Sequence, residues 1–410
     1  MVTPQISTLI TSQPATSGPR LLHSLGLYNL LSFGPQSAPL EMCGLNVLIG
    51  PNSSGKSNVL EAVALLRATP NRVSPNDLRT VIGRGGGVDE WIWKGNPKSA
   101  ATLEAIVDNP KGQQPLRHVL AFRTEQQTFR LEDERIENEH PNPGQAAPYY
   151  YYRYQQGLPV IVVGGVARPL AHESMEANLS ILAQRRDPDT YPVITELAAA
   201  YDSIRLYREW AFGRNTVFRE PQKADMRNDR LEEDFSNLGL FLNRLRRRPK
   251  AKRALLNALR DLYEGLTDFD VIVEGGTVQV FLTEGDYTIP ATRLSDGTLR
   301  YLCLLAILCD LEPPPLIGIE EPELGLHPDI LPKLADLLIQ ASERTQLIVT
   351  THSDVLVDAL TEHPETIVVC EKHAGQTTMR RLDPQALAHW LESYRLGDLW
   401  TRGELGGTRW

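Results

Sequence analysis

The eight residues Gly50-Pro51-Asn52-Ser53-Ser54-Gly55-Lys56-Ser57 satisfy G-x-x-x-x-G-K-[ST] at every fixed position, and they restrict the fold more than any other stretch of the chain. Such a pattern needs a strand that feeds a glycine turn and a helix that leaves it, because backbone N–H groups must curl around a phosphate and the helix start must point at it. Both neighbours are present. Residues 45–50 (LNVLIG) form a short apolar run ending in glycine, and Val59, Leu60, Val63 and Leu66 recur at helical spacing just downstream. Lys56, on a loop and expected to face solvent, would reach the β- and γ-phosphates of a nucleotide, and the Ser57 hydroxyl would bind Mg²⁺. Asn52, Ser53, Ser54, Gly55 and Asn58 complete the expected nucleotide-binding set.

Three nearly continuous apolar runs lie further on, at 315–320, 346–352 and 366–371, with helical stretches between them. That alternation predicts a parallel sheet buried on both faces. The first run ends in Glu320-Glu321-Pro322-Glu323, placing carboxylates where open α/β sheets bind ligands. One carboxylate is expected to hold Mg²⁺ through water, and the next to orient the attacking water and accept its proton. The second run ends in His352, where a γ-phosphate would lie. Between these features, Ser295 and the N–H groups around Gly297 open the apolar stretch 301–309; they read as a second phosphate-binding helix start or as a helix cap.

The chain has 410 residues, more than one hydrophobic core usually organises, so two lobes are expected. Its 41% hydrophobic and 23% charged content is that of a globular chain and excludes a disordered or fibrous one. Strand-like segments occur near 101–107, 117–123 and 159–163, the stretch 68–98 reads as an irregular surface excursion, and 277–282 reads as the second arm of a hairpin. The block 172–268 is helical in pattern, dividing the chain into 20–171, 172–268 and 269–410. Four cysteines, Cys43, Cys303, Cys309 and Cys370, show no C-x-x-C spacing, the longest apolar stretch is about half the roughly 20 residues a membrane helix needs, and the first twenty residues lack a signal-peptide pattern. These features lead us to expect a cytoplasmic protein with no membrane contact.

A formal charge of -9, from 42 basic and 51 acidic residues, repels nucleic acid overall, so contact with DNA requires a local patch. The concentrated candidate is NRLRRRPKAKR at 243–253, with Arg244, Arg246, Arg247, Arg248, Lys250, Lys252 and Arg253. It reads equally as a DNA contact or as a solvated helix end balancing acidic segments such as 231–235. The tyrosines 149–152 read as base-stacking residues or as a strand with one wet face.

Taken in order, GPNSSGKSN, LSDGT, IEEPELGLHP and TTHSD resemble the ABC-type ATPase heads of the SMC and RecF-like superfamily. The nearest resemblance is to stand-alone ATPases related to the overcoming-lysogenization-defect family, which the phrases at 182–192 and 396–407 also resemble, so it spans most of 20–407. It implies an α/β P-loop NTPase of the ABC-head type: a mixed sheet with a largely parallel core, plus an inserted helical lobe. By the same resemblance Asn52 to Ser57 are the Walker A loop, Ser295 and Gly297 the signature, Glu321 the catalytic base and His352 the switch histidine. Leu324 to His327 would be the D-loop, and Gln184 a Q-loop residue near the metal. Glu320 stands at the Mg²⁺-side position where such heads usually carry Asp, and its extra methylene is expected to alter the metal geometry or slow hydrolysis. No nuclease segment or long coiled coil lies within these residues, so nuclease action is expected from another polypeptide. Function follows as an expectation: an ATP- and Mg²⁺-dependent homodimer or higher oligomer acting on DNA in repair or defence against phage or plasmids. The alternative is a nucleotide-dependent regulator of a separate nuclease or toxin. A transporter subunit is disfavoured by LSDGT, by Asn58 and by the large insertion.

Overall fold

The computed structural model describes residues 18–407 apart from 74, 127, 156, 172–174, 211–212, 214–215, 217–218 and 263–264. Among the described residues the strands form three sheets. The central one runs Arg205–Tyr207, Leu316–Glu320, Gln346–Thr350, Leu45–Ile49, Ile367–His373, Gln376–Arg381; its first five strands are parallel and the last is antiparallel. All five parallel strands therefore end at the same edge, with the phosphate-loop strand Leu45–Ile49 flanked by neighbours on both sides.

The apolar runs are continuous because this sheet is covered twice. Every residue of Leu45–Ile49 is buried. Successive side chains of a strand point to opposite faces, so Val47 and Ile49 join one hydrophobic cluster and Leu48 joins the other. The Leu48 side is packed by Val59, Leu60, Val63 and Leu66 of the helix Lys56–Ala68. The Val47 side is packed by the helix Asp296–Leu308, through Leu299, Leu302 and Leu305, and by Leu334 and Leu338 of the helix Leu331–Ser342.

An eight-stranded antiparallel sheet, ordered Leu40–Glu41, Leu22–Tyr28, Ala101–Val107, Leu116–Glu125, Thr128–Asn138, Tyr150–Gln155, Leu158–Val163, Val166–Pro169, adds its buried side chains to the Leu48 cluster. The tyrosine run enters this sheet as an alternating strand: Tyr152 and Tyr154 are buried, while Tyr150 and Tyr151 are partly exposed. A third sheet joins Gln222–Lys223, Leu266–Glu274, Thr277–Glu284 and Tyr287–Pro290, with the expected hairpin arm at its centre.

Two stretches depart from their sequence patterns. Residues 68–98 contain helices Leu78–Arg84 and Val88–Trp91, and Leu78, Ile82 and Trp91 are buried. The Asp77 carboxylate starts the first by accepting from Thr80 N at 2.9 Å. The block 172–268 carries helices Ile181–Gln184, Pro192–Ser203, Leu238–Arg246 and Pro249–Leu262, but it also sends Arg205–Tyr207 into the central sheet beside Leu316–Glu320. Three residues give too short a period-2 signal to be seen between two helices. The expected buried thiols are present, since all four cysteines are free and buried. Among the described residues no helix is long and apolar enough to cross a membrane.

Candidate functional site

The site is built on the carboxyl edge of the central sheet, from the turn outward. Gly50 leaves the strand at φ 147°, and a Cβ there would lie 2.2 Å from the Cys370 carbonyl oxygen, so neither the dihedral nor the space admits a side chain. The helix that follows begins at Lys56 with Gly55 as its cap at φ 99°, no side-chain cap hydrogen bond and no acidic residue in its first turn. Nothing there competes with an anion for the free N–H groups and the positive helix end. Asn52 and Ser53 are exposed on the loop and Ser57 on the first turn of the helix, whereas Ser54 is buried and its Oγ has no hydrogen-bond partner among the described residues. Lys56 is not solvent-facing: it is 5% exposed, and its Nζ donates to the carbonyls of Gly50 at 2.8 Å and Pro51 at 3.0 Å. Burial pulls its pKa down, opposed by the fields of Cys370, Glu321, Glu320 and Glu323. A triphosphate would complete this cradle, because it brings the negative charge that a desolvated ammonium lacks.

Asn58 has another task in this structure. Its Nδ2 donates to Ser32 Oγ at 2.7 Å, Ser32 Oγ also meets Thr377 Oγ1 at 2.7 Å, and Thr377 Oγ1 donates to Ser54 O at 2.9 Å. The loop is thus tied to the turn at Ser32 and to the edge strand Gln376–Arg381.

The acidic strand end faces this loop. Glu321 sits at φ 46°, a left-handed conformation that costs a non-glycine residue about 1–2 kcal/mol, and its N–H donates to Thr350 O at 3.0 Å. His352 Nε2 lies 3.5 Å from Glu321 Oε1. The His352 backbone N–H and the Thr351 hydroxyl both donate to Glu323 Oε1, at 2.8 and 2.7 Å. Burial raises the Glu323 pKa. It lowers that of His352, helped by Lys56 and opposed by Glu321, which favours a neutral imidazole.

Glu320 points its Oε2 at Arg208, whose Nε donates at 2.9 Å while its Nη2 donates to Glu61 Oε1 at 2.8 Å. For Mg²⁺, the chain offers the Ser57 hydroxyl and the remaining oxygen of Glu320. Among the described residues no group of three His, Cys, Asp or Glu could hold a metal. Few protein oxygens, supplemented by phosphate and water, suit Mg²⁺ and do not form a closed protein cage, so the donor set fits.

Ser295 is exposed and caps the helix Asp296–Leu308 by accepting from Thr298 N at 3.1 Å. A Cβ on Gly297 would come within 2.9 Å of Gly325 O, which puts the start of this helix against the turn at 324–327 of the same chain. Gln184 makes its hydrogen bonds within its own loop: its Nε2 donates to the Glu176 and Leu179 carbonyls and its Oε1 accepts from Glu176 N. The basic cluster is largely neutralised. Arg244 and Arg248 pair with Glu312, Arg246 with Asp270 and Lys252 with Asp268, leaving Arg247, Lys250 and Arg253 exposed without an ion-pair partner among the described residues.

Sequence reasoning missed Arg208, Trp210 and Arg300. Trp210 Nε1 donates to Glu320 O at 2.9 Å and Arg300 Nη2 to Glu321 O at 2.6 Å. One signal was available for Arg300, a lone basic residue at the edge of the apolar run 301–309.

Residues 45–358 match a family described as "AAA domain, putative AbiEii toxin, Type IV TA system". An SMC head solved bound to the C-winged helix domain of ScpA superposes with a TM-score of 0.51 at 14% identity, covering 89% of this chain and 99% of that one. The SMC head with an extended coiled coil bound to the C-terminal domain of ScpA, derived from Pyrococcus furiosus, gives 0.53 at 14% identity, covering 91% and 98%. At such identities the likeness establishes the fold. No curated protein matches the sequence.

Proposed function

We infer the function from family membership and site together: the chain belongs to the AAA-domain family matched over 45–358, and it is a P-loop ATPase with the ABC-type head fold. We propose that it is a switch that binds ATP with Mg²⁺, closes as a homodimer on ATP, and opens when ATP is hydrolysed. The observation that carries this reading is the placement of the Glu321–His352 pair opposite Lys56 on one sheet edge, with a 3.5 Å contact between the two side chains. In-line attack needs a held water and a base, while the loop amides and Lys56 hold the phosphates. Glu321 takes the proton, and neutral His352 orients the water or the γ-phosphate oxygen. Ser57 and Glu320 would hold Mg²⁺, which would supply neutralisation of phosphate charge. Ser295 and Gly297 lie on an exposed helix start that can offer N–H groups to the nucleotide of a second copy.

The division into 20–171, 172–268 and 269–410 belongs to this proposal, as does action on DNA in repair or in defence against phage or plasmids. A second reading, control of a separate nuclease or toxin, draws support from two observations: four of the seven basic candidates are tied up in ion pairs, and the family description names a toxin system.

Glu321→Gln tests the catalytic part. It keeps size and hydrogen bonding and removes basicity, so the hydrolysis rate should fall on the order of 10²-fold or more while ATP affinity persists. Light scattering should then show the variant at twice its mass with ATP. A wild-type rate, or a mass indifferent to ATP, would remove this mechanism.

A further inference from the structure

Glu321 holds a backbone conformation that a glutamate rarely adopts, and two side chains from distant parts of the chain hold the turn that contains it. Trp210 Nε1 donates to the carbonyl of Glu320 at 2.9 Å, and Arg300 Nη2 donates to the carbonyl of Glu321 at 2.6 Å. The two donors also hold each other, since the Arg300 guanidinium carbon lies 4.3 Å from the centroid of the Trp210 ring. The stack continues through Phe235, at 5.3 Å from Trp210, to Tyr207, at 5.4 Å from Phe235, both pairs nearly parallel. Tyr207 ends the strand that pairs with the acidic strand, in register with Ile319. A column of planar groups therefore runs from the outer strand to the helix Asp296–Leu308.

Packing alone does not call for an arginine at 300. Leu299, Tyr301 and Leu302 are fully buried and Arg300 is 1% exposed, a place where an apolar side chain would meet no desolvation penalty. Burial pushes its pKa down to about 10, so it stays charged at neutral pH.

We propose that Arg300 and Trp210 are positioning residues for Glu321: by holding the two carbonyls of the acidic turn they set the direction of the Glu321 carboxylate, and they tie that direction to the helix that begins at Ser295. This rests on the reading of Glu321 as the base. Arg300 lies five residues beyond Ser295 on that helix, about 7.5 Å along its axis, so a displacement of the helix start on docking reaches the base through one side chain. The inserted segment that supplies Trp210, Phe235 and Tyr207 thereby acquires a role in hydrolysis.

The test compares Arg300→Met, Arg300→Lys and Trp210→Phe, each alone and combined with Glu321→Gln, by steady-state hydrolysis, calorimetric binding of an imido-linked ATP analogue, and thermal melting. Arg300→Met should lose on the order of 10²-fold in kcat, the scale of a misdirected catalytic group, with analogue affinity kept within about threefold. Trp210→Phe keeps the ring and loses the N–H, and should lose about tenfold. Arg300→Lys keeps a donor without the stacked plane and should fall between Arg300→Met and wild type. In the Glu321→Gln background all three should add little, because a residue that acts through Glu321 has nothing left to position. Full multiplication of the two effects, a rate within about threefold of wild type in Arg300→Met, or equal loss of affinity and rate would overturn the proposal. If the Arg300 variants do not fold, Trp210→Phe decides by the same criteria. A wild-type rate in Glu321→Gln itself sinks the assignment of the base, and the positioning pair with it.

Discussion

A lysine ammonium withdrawn from water needs replacement partners, and Lys56 finds them in the carbonyls of Gly50 and Pro51. A loop lysine reads from the sequence as solvent-facing, yet this one bridges the two residues that open the turn. Its replacement therefore has two consequences of different size. Lys56→Ala should abolish ATP binding as read by calorimetry, since the loop loses its one mobile positive charge toward the phosphates. Its melting temperature should fall modestly, corresponding to about 1–2 kcal/mol for lost hydrogen bonds to backbone. Unchanged affinity in the folded variant would remove Lys56 from the site. The phosphate-loop residues were legible because their geometry is local: the four residues between Gly50 and Gly55 determine where the amides point. Glu323 was visible as one of several carboxylates, but its grip on the His352 backbone was not, because that contact spans 29 positions.

Among the elements, the helices Leu238–Arg246 and Pro249–Leu262 carry the basic cluster, and their packing separates its members. Arg244, Arg246, Arg248 and Lys252 lean on acids from the loop after the helix Asp296–Leu308 and from the strand Leu266–Glu274. Arg247, Lys250 and Arg253 face outward at near-helical spacing. Exposed ion pairs are worth about 0–1 kcal/mol each, so neither group holds the fold, and charge reversal at the outward three should leave the melting temperature nearly unchanged. If these three contact phosphates, the combined change to Glu should flatten the logarithmic salt dependence of duplex DNA binding by roughly 0.9 per lost contact, with hydrolysis in the absence of DNA intact. An identical slope would leave the cluster a solvated face and favour the protein-partner reading. A run of seven basic residues among eleven shows its composition in the sequence. Which of them are neutralised depends on acids 16 to 68 positions away.

For the whole molecule, the surface that tests the proposed dimer is the helix start at Ser295 beside the turn at 324–327, where Gly297 admits no Cβ without pressing on Gly325 O and Ser295 is exposed. In the proposed ATP-closed dimer, Ser295→Arg would place bulk and charge against the nucleotide of the second copy. In a Glu321→Gln background this change should keep the protein at monomer mass with ATP in light scattering, and a persistent doubling would move the dimer contact elsewhere. The chemistry of the sheet edge is written in short stretches of sequence. A glycine loop, an acidic strand end and a histidine strand end each encode their placement within a few residues, and parallel strands bring their carboxyl ends together. Tertiary structure alone decided what holds that edge in position. Arg208 reaches Glu61 and Glu320 across 147 and 112 positions, and Trp210 reaches Glu320 across 110. Contacts at such separations leave no periodicity in a single sequence, because only the threading of Arg205–Tyr207 beside the acidic strand makes these residues neighbours.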